Sequence, residues 1–338
     1  MKKSNRYLIT GGAGFIGSNF VKYVFKREPE ARIIVLDKLT YSANLKNLED
    51  FKGNPNFEFV QGDICDIQTV KSVSQMVNFV VNFAAEAAVD RSIDDPDQFL
   101  KTDIYGVFVL LNEARNNTAL KKFVQISTDE VYGHIMDGSF KEDAELKPRN
   151  PYAAAKLGGD RLVYSFSQTY GLPVCITRAS NNYGPYAYPE KVIPLFITNL
   201  IDGLNVPVYG AGDQIRDWLY VDDHCSAIYE ILRSGVNGEV YNVGGSFECA
   251  NLDLTKKIIQ LMGKDDGMIT YVEDRPGHDF RYSLNCDKLK NLGWKQKFSF
   301  EDGLKKTIDW YIHNEQWWRP VKEKMERKYI TGYWGNKK

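Results

Sequence analysis

Short apolar runs and longer amphipathic stretches alternate along the first two-thirds of the chain. Nearly continuous apolar runs are typical of strands that are buried on both faces of a parallel sheet, whereas apolar residues that recur every three or four positions predict helices. The alternation therefore predicts βαβ units in an α/β fold. The predicted strands are Tyr7–Thr10, Arg32–Asp37, Phe57–Gln61, Phe79–Ala84, Lys122–Ser127 and Pro173–Arg178.

The pattern changes after Arg178. Residues 181–217 contain four prolines among glycines and tyrosines, which favours loops and short elements over another βα repeat. Residues 222–234 have a helical pattern and Glu239–Gly244 has a strand pattern, so we expect the chain to return to the first sheet. We accordingly predict a doubly wound domain, residues 1–180 plus about 219–245, and a smaller mixed α/β C-terminal domain, residues 181–218 and 246–338.

Composition narrows the class of protein. The 338 residues carry 43 Lys+Arg against 44 Asp+Glu, so no basic excess exists to neutralise phosphates, and we expect neither a nucleic-acid binder nor a membrane-surface binder. The N-terminus has no signal-peptide pattern, and no stretch reaches the ~18 apolar residues of a membrane helix. Five scattered cysteines without CxxC spacing are typical of reduced thiols in a cytoplasmic protein. The four histidines have no ligand spacing, so we expect no metal.

A glycine-rich turn follows the first predicted strand and opens a predicted helix. Within it Gly12, Gly14 and Gly17 have the GxGxxG spacing of a loop whose backbone N–H groups meet a pyrophosphate at a helix N-terminus. Asp37 ends the second predicted strand, where its carboxylate can accept hydrogen bonds from ribose hydroxyls and would repel a 2′-phosphate. The pattern predicts a Rossmann-like fold that binds NAD. The alternative is a glycine loop that only turns the chain.

A second group of residues suggests redox and acid–base chemistry. Tyr152 and Lys156 are four residues apart on a predicted helix and so share a face. We expect the Lys156 cation to lower the pKa of the phenol, which could then take a hydroxyl proton as hydride leaves the same carbon. Thr128, at the end of a predicted strand, would hold that hydroxyl. Asp129 and Glu130 follow directly, and their roles can differ if their environments separate their pKa values. The alternative for this acid pair is a solvated loop.

Together these residues resemble the extended short-chain dehydrogenase/reductase family, and the Asp129-Glu130 pair resembles its nucleotide-sugar 4,6-dehydratases rather than its epimerases. The resemblance implies that an NDP-hexose, with dTDP-glucose favoured, becomes an NDP-4-keto-6-deoxy-hexose plus water. It implies three steps. NAD oxidises C4 with Tyr152 as base, water is then eliminated across C5–C6 with Glu130 as base and protonated Asp129 as acid, and hydride finally returns to C6. Further similar segments are spread along the chain, namely residues 84–92, 180–191, 216–218 and 275–279, so the resemblance extends over nearly its whole length.

The resemblance also implies the ligand contacts. Those to NAD are Gly11, Gly12, Gly14, Phe15, Ile16, Gly17, Asp37, Lys38, Asp63, Ile64, Ala84, Ala85, Tyr152 and Lys156. Those to the nucleotide sugar are Glu86, Ala88, Asn181, Asn182, Glu190, Lys191, Tyr209, Arg216, Asn251, Arg275 and His278. Arg216 and Arg275 would bind the diphosphate, with surface salt bridging as the alternative. Tyr209 would stack on a pyrimidine, with core packing as the alternative.

Other implications concern assembly and specificity. The resemblance implies a homodimer formed by paired helices, Gln98–Arg115 and Tyr152–Tyr170. Ala87-Ala88 stands where the family typically has Ser-His, and Asp103 where it usually has Asn. The two alanines remove polar side chains and leave space on the sugar side of the pocket. This space could fit a bulkier sugar, so that the same reaction would take a UDP-sugar such as UDP-N-acetylglucosamine; the alternative is that a water fills it.

Two other functions are weighed against dehydration. A UDP-sugar 4-epimerase or decarboxylase is disfavoured by the acid pair. A non-catalytic NAD sensor is disfavoured by the complete set of Thr128, Tyr152 and Lys156.

Overall fold

Seven parallel strands form the central sheet of the computed structural model, which describes residues 4–325 and 327–331. The strands are β1 (Arg6–Thr10), β2 (Arg32–Asp37), β3 (Phe57–Gln61), β4 (Phe79–Asn82), β5 (Lys122–Thr128), β6 (Val174–Ala179) and β10 (Val240–Val243). Their order is β10-β6-β5-β4-β1-β2-β3. The order reverses between β1 and β4, which is where doubly wound sheets bind their ligands. The predicted Rossmann-like α/β fold is confirmed.

Helices cover both faces of this sheet. Tyr7 and Ile9 of β1 belong to one buried apolar cluster and Leu8 to another, as the alternation of side chains along a strand requires. The helices of this part of the chain are α1 (Phe15–Arg27), α2 (Ile67–Ser74), α3 (Val89–Asp94), α4 (Asp97–Leu100), α5 (Val107–Arg115), α6 (Pro151–Tyr170) and α8 (Val221–Ser234). Helices α1 and α8 pack on the first face, and α2, α5 and α6 pack on the second.

Most of the remaining elements pack around a separate apolar cluster that includes Trp218 and Trp318, whereas the helix Asp287–Asn291 buries Leu289 in the first cluster. The strands β7 (Asn181–Tyr183), β9 (Ile215–Tyr220) and β11 (Glu248–Ala250) form one small sheet, and β8 (Val206–Tyr209) and β12 (Ile269–Val272) form another. The helices are α7 (Val192–Ile201), α9 (Asn251–Leu261), α10 (Asp287–Asn291), α11 (Phe300–His313), α12 (Glu315–Glu323) and α13 (Arg327–Thr331). Parallel and antiparallel pairs both occur here, so this part is mixed α/β.

Two predicted elements differ from the structure. Residues 181–217 were expected to form loops and short elements, but they include the ten-residue helix α7. Pro194 lies in its first turn, where a missing N–H costs no helical hydrogen bond. The predicted helix Gln98–Arg115 is interrupted, because residues Lys101–Gly106 form a π-helix between α4 and α5. The first six predicted strands match the structure to within two residues at either end.

The proposed division into two domains stays a prediction, and its last residues, 332–338, lie outside the described residues. Of the helices described, none combines the length and the apolar character needed to cross a membrane.

Candidate active site

A cleft of about 470 Å³ opens at the carboxyl ends of the central strands. Its walls include residues that end or directly follow β1, β4, β5 and β6, together with residues from the small sheets. Every residue predicted to bind cofactor or substrate or to act in catalysis lines this cleft, except Gly12. Gly12 instead faces the sheet, where an added Cβ would lie 2.7 Å from the side chain of Val35.

The glycine-rich turn leaves room for a ligand at the start of α1. Gly11 has a φ of +65°, a conformation that favours glycine, and its carbonyl accepts the Gly14 N–H at 3.1 Å. A Cβ at Gly17 would clash with the Gly11 carbonyl, so the third glycine allows α1 to approach the turn closely. A Cβ at Gly14 would meet only that same carbonyl, at 3.2 Å, on the cleft side. This turn therefore fits a pyrophosphate.

Asp37 ends β2 with a carboxylate that is held in place. Its two oxygens accept the backbone N–H groups of Ala13 at 2.9 Å and Leu39 at 2.8 Å. Burial raises the pKa of this carboxyl above its usual value, and both hydrogen bonds oppose that rise. Each carboxylate oxygen can accept more than one hydrogen bond, so the group retains acceptors for ribose hydroxyls. Nearby, Lys38 forms an ion pair with Asp63 at 2.7 Å.

Helix α6 carries Tyr152 and Lys156 into the cleft. Asn150 caps this helix by accepting the Ala153 N–H at 2.8 Å, and Pro151 takes the first helical position, as helix N-termini favour. The Lys156 ammonium donates to the carbonyl of Ile126 in β5 at 2.8 Å.

The pKa of Tyr152 departs from the sequence-based prediction. Burial raises this pKa well above its usual value, and the carboxylates of Glu130 and Asp103 raise it further. The neighbouring Thr128 side chain acts in the opposite sense. Burial therefore sets the net direction of the Tyr152 pKa upward, and the separate lowering by Lys156 stays a prediction.

The acid pair begins a short 3₁₀-helix at the end of β5. The Thr128 hydroxyl donates to Asp129 Oδ1 at 3.1 Å, and the Glu130 N–H donates to Thr128 Oγ1 at 3.3 Å. Asn150 Nδ2 donates to Glu130 Oε2 at 3.2 Å. Asp129 Oδ2 is buried and has no hydrogen-bond partner among residues 4–325 and 327–331. Burial, followed by repulsion from Glu130, raises the pKa of Asp129 well above its usual value, so this carboxyl is suited to hold a proton.

Two arginines supply positive charge to the cleft. Arg216 is buried, and its guanidinium donates to the carbonyls of Asp279 at 2.9 Å and Phe280 at 3.2 Å. Within the described part of the chain it forms no ion pair, although Arg275 lies close enough to repel it. Arg275 itself lies 3.7 Å from Asp90. A buried cation without a carboxylate partner is suited to an anionic ligand.

Tyr209, predicted to stack on the base, lies beside His278, another residue predicted to contact the nucleotide sugar. The ring centroids of Tyr209 and His278 lie 6.4 Å apart in an edge-on arrangement. His278 contacts Asp274 at 2.6 Å, yet burial and the two arginines lower the pKa of the imidazole to about 3. With Nδ1 bonded to Asp274, neutral His278 has its other ring nitrogen left for a ligand.

Sequence reasoning missed residues that line the cleft or that hold the residues lining it. Both oxygens of Glu190 accept hydrogen bonds from Arg91, at 2.8 and 3.2 Å, and the Arg91 guanidinium lies between the rings of Tyr41 and Tyr329. Arg91 falls within the segment 84–92 that carried the resemblance, but no local pattern indicates its partners. His224 was missed as well, because a single histidine on a helix has no distinguishing spacing.

Comparisons with known proteins agree with this site. The GDP-mannose 4,6 dehydratase family model matches residues 8–307. A dTDP-glucose 4,6-dehydratase of Streptomyces niveus is 48% identical over 326 residues, which cover 95% of this chain and 97% of that protein. The Escherichia coli dTDP-glucose 4,6-dehydratase is 42% identical over 348 residues, covering 94% and 96%.

Solved structures give the same result. The dTDP-glucose 4,6-dehydratase of Streptomyces venezuelae, crystallised with NAD, matches with a TM-score of 0.91 and 45% identity over 94% of this chain and 99% of that chain. The UDP-glucose 4-epimerase of Thermotoga maritima matches less well, with a TM-score of 0.84 and 31% identity over 91% and 99%. This chain belongs to the extended short-chain dehydrogenase/reductase family, among its nucleotide-sugar 4,6-dehydratases.

Proposed function

We propose that the protein converts an NDP-hexose, with dTDP-glucose as the first candidate, to the NDP-4-keto-6-deoxy-hexose and water. The observation that carries this proposal is the pair of carboxyl groups, Asp129 and Glu130, in one cleft with Thr128 and Tyr152. An epimerase needs a proton acceptor for one hydroxyl, whereas elimination of water also needs a base at C5 and an acid at the C6 hydroxyl. The unpartnered, buried oxygen of Asp129 supports the acid role.

NAD is the proposed cofactor. The turn from Gly11 to Gly17 would receive its pyrophosphate, and Asp37 would accept hydrogen bonds from the adenosine ribose. NAD held there would supply the acceptor for hydride from C4 of the sugar and the donor of hydride to C6. Two observations support this assignment. The glycine-rich turn leaves room for a ligand close to its backbone, and the Asp37 carboxylate has acceptor sites left after its two hydrogen bonds.

The protein's own groups would move the protons. Tyr152 takes the proton of the C4 hydroxyl, which Thr128 orients, and the Lys156 ammonium favours the charged phenolate. Once C4 is a ketone, Glu130 removes the proton from C5. The electron pair of that C–H bond expels the C6 oxygen, which leaves as water with the proton of Asp129. Glu130 then returns its proton to C5 as C6 is reduced.

The diphosphate would lie against Arg216 and Arg275. Arg216 is 5% exposed and forms no ion pair within the described residues, and burial lowers its pKa although Glu130 and Asp129 attract it. An anionic ligand would offset the remaining cost of its desolvation. Phosphate oxygens match the planar guanidinium, which explains why arginine suits this position better than lysine. The arrangement supports an NDP-linked substrate over a free sugar.

The central experiment is a Glu130→Gln substitution. We expect dehydration to fall at least about a hundredfold because the base at C5 is lost, while substrate still reduces the bound nicotinamide. Product mass and nicotinamide absorbance measure the two outcomes separately. Glu145→Gln, which changes an exposed glutamate, is the matched control and should behave as wild type. Near wild-type turnover by Glu130→Gln would contradict the assignment.

The substrate is tested with a panel of dTDP-glucose, UDP-glucose and UDP-N-acetylglucosamine. Mass spectrometry of the products should show a 4-keto-6-deoxy sugar formed fastest from dTDP-glucose. A preference for UDP-N-acetylglucosamine would instead support the second substrate, which the small side chains of Ala87 and Ala88 in the cleft wall favour. Interconversion of sugars at C4 without loss of water would identify an epimerase.

We further propose that two copies form a homodimer. Three aromatic side chains on neighbouring helices are exposed, namely Tyr105 (47%), Phe108 (40%) and Tyr164 (41%). Adjacent exposed apolar side chains of this size are typical of an interface. They lie on the two helical segments for which the family resemblance implies pairing.

A further inference from the structure

A buried carboxylate lies behind the catalytic lysine. Asp103 is 2% exposed, and its Oδ1 lies 3.6 Å from the Lys156 ammonium nitrogen. Its Oδ2 accepts the backbone N–H of Glu86 at 3.2 Å. Lys156 also donates to the carbonyl of Ile126 at 2.8 Å, and it lines the cleft. Its ammonium is thus held by one hydrogen bond and one ion pair within the protein.

This pair depends on an unusually close approach of two helices. Asp103 lies in the π-helix Lys101–Gly106, whose wider turn places its carbonyl directly against α6 at Gly159. A Cβ at Gly159 would clash with that carbonyl, so the contact requires glycine. Gly159 is three residues from Lys156, almost one helical turn further along α6. The π-helix therefore brings the carboxylate to the lysine, and π-helices often occur at functional sites.

Several other titratable groups surround Asp103. Lys156 and Tyr152 face it from α6, Glu86 from the segment after β4, and Cys65 from the segment after β3. Lys156 is the cation among them. The Asp103 carboxylate thus attracts the Lys156 ammonium and would repel a Tyr152 phenolate.

We propose, as an extension of the function argued above, that Asp103 is a positioning residue which fixes the Lys156 ammonium and sets the pH at which Tyr152 accepts the substrate proton. The carboxylate, which does not itself line the cleft, restrains the Lys156 ammonium, which does. It also partly cancels the positive field that would otherwise favour the Tyr152 phenolate. The Asp103 carboxylate therefore has two effects: it fixes the position of Lys156, and it raises the pH at which the Tyr152 phenol ionises.

The electrostatics are consistent with this role. Burial raises the pKa of Asp103 to about 6, and the attraction of Lys156 opposes the rise. At neutral pH the group is therefore mainly ionised, and its charge contributes to the raised pKa of Tyr152. Replacement of the carboxylate by a carboxamide of the same shape removes the charge and keeps an oxygen that can accept the Glu86 N–H.

The test compares Asp103→Asn with wild type in rapid-mixing measurements of nicotinamide reduction by dTDP-glucose across the pH range in which both proteins stay folded. We expect the rising limb of the rate to move about one pH unit toward acid in the variant. Below the wild-type midpoint, the variant should then reduce the nicotinamide up to about tenfold faster. A purely structural role would scale the rate equally at every pH.

Asp97→Asn is the matched control, because it removes a carboxylate from an exposed pair with Lys101 on the preceding helical turn. It should leave the midpoint unchanged. An unchanged midpoint in Asp103→Asn, with product still formed by wild type, would overturn the inference. Absence of 4-keto product from wild type would instead overturn the proposed function, so the two failures are distinguishable.

A second measurement does not depend on turnover or on the rate of the variant. Carbon-13 spectra of protein labelled at aspartate carboxyls should contain one resonance that titrates near pH 6 and is missing from Asp103→Asn. If the Asp103 resonance kept the chemical shift of a protonated carboxyl up to neutral pH, Asp103 would form no ion pair with Lys156. That result would also overturn the inference.

Discussion

Asp129 and Glu130 are neighbours in the chain, yet their surroundings differ. Asp129 is 2% exposed with one unpartnered oxygen, whereas Glu130 is partly exposed and accepts a hydrogen bond from Asn150. Burial favours the neutral acid, and the nearby negative charge of Glu130 favours it further. Two adjacent carboxyl groups can therefore act as an acid and a base at one pH.

His224 contributes a prediction about stability at acid pH. The side chain is fully buried beside the cleft, and its Nδ1 contacts Asn182 Oδ1 at 2.8 Å. Burial lowers the pKa of the imidazole from 6.5 to about 3. Because the folded pKa lies below the unfolded one, this contribution to stability is complete above pH 6.5 and is lost as pH falls toward 3.

We therefore expect the unfolding free energy of wild type to fall by about 2 kcal/mol more than that of His224→Gln when the pH is lowered from 6.5 to about 5. Urea denaturation at both pH values, at one protein concentration, measures the difference. His313→Gln, which changes an exposed histidine, should keep the wild-type pH dependence. Parallel pH dependences for wild type and His224→Gln would show that the imidazole is not held neutral.

At the scale of elements, the contact between α6 and the π-helix determines where Lys156 meets Asp103. Two successive glycines occupy this contact but face different atoms. A Cβ at Gly159 would clash with the backbone carbonyl of Asp103, whereas a Cβ at Gly158 would lie 2.6 Å from the end of the Ile104 side chain. A side chain can rotate away, but a backbone carbonyl moves only with its helix.

We expect Gly159→Ala to lower the unfolding free energy by about 2 kcal/mol, since overpacking outweighs the gain of about 1 kcal/mol in helix propensity. Gly158→Ala, the matched control, should lie within about 1 kcal/mol of wild type. Urea denaturation followed by circular dichroism measures both. Equal stabilities of the two variants would mean that the helices separate without cost and that the close contact is not required.

At the scale of the whole molecule, the exposed aromatic residues on the helices around α5 and α6 predict the assembly. We expect sedimentation equilibrium to give twice the mass of one chain for wild type. Phe108→Asp should shift the protein toward monomer, because it places a charge in the apolar interface. Tyr271→Asp is the control, since Tyr271 is 58% exposed on the separate strand β12. A monomeric wild type, or a dimer that tolerates Phe108→Asp, would contradict the proposal.

Local patterns were sufficient for much of the fold. The first six strands of the central sheet follow from apolar runs, and the helix after the glycine-rich turn follows from its spacing. The positions of Asp37, Thr128 and Tyr152 are likewise set by where a strand ends or a helix begins. Such features depend on residues within a few positions of one another, so the sequence alone determined the Rossmann-like fold and the side of the sheet that carries the site.

Only the tertiary structure decided features that join distant parts of the chain. The contact of Arg91 with Glu190, the ion pair of Asp103 with Lys156 and the raised pKa of Tyr152 have no local signature. Each depends on burial and on charges brought within a few ångströms by helix packing, and burial was the first cause of the Tyr152 shift. Spacing along a chain predicts which groups share a face, whereas desolvation and long-range approach set how those groups ionise.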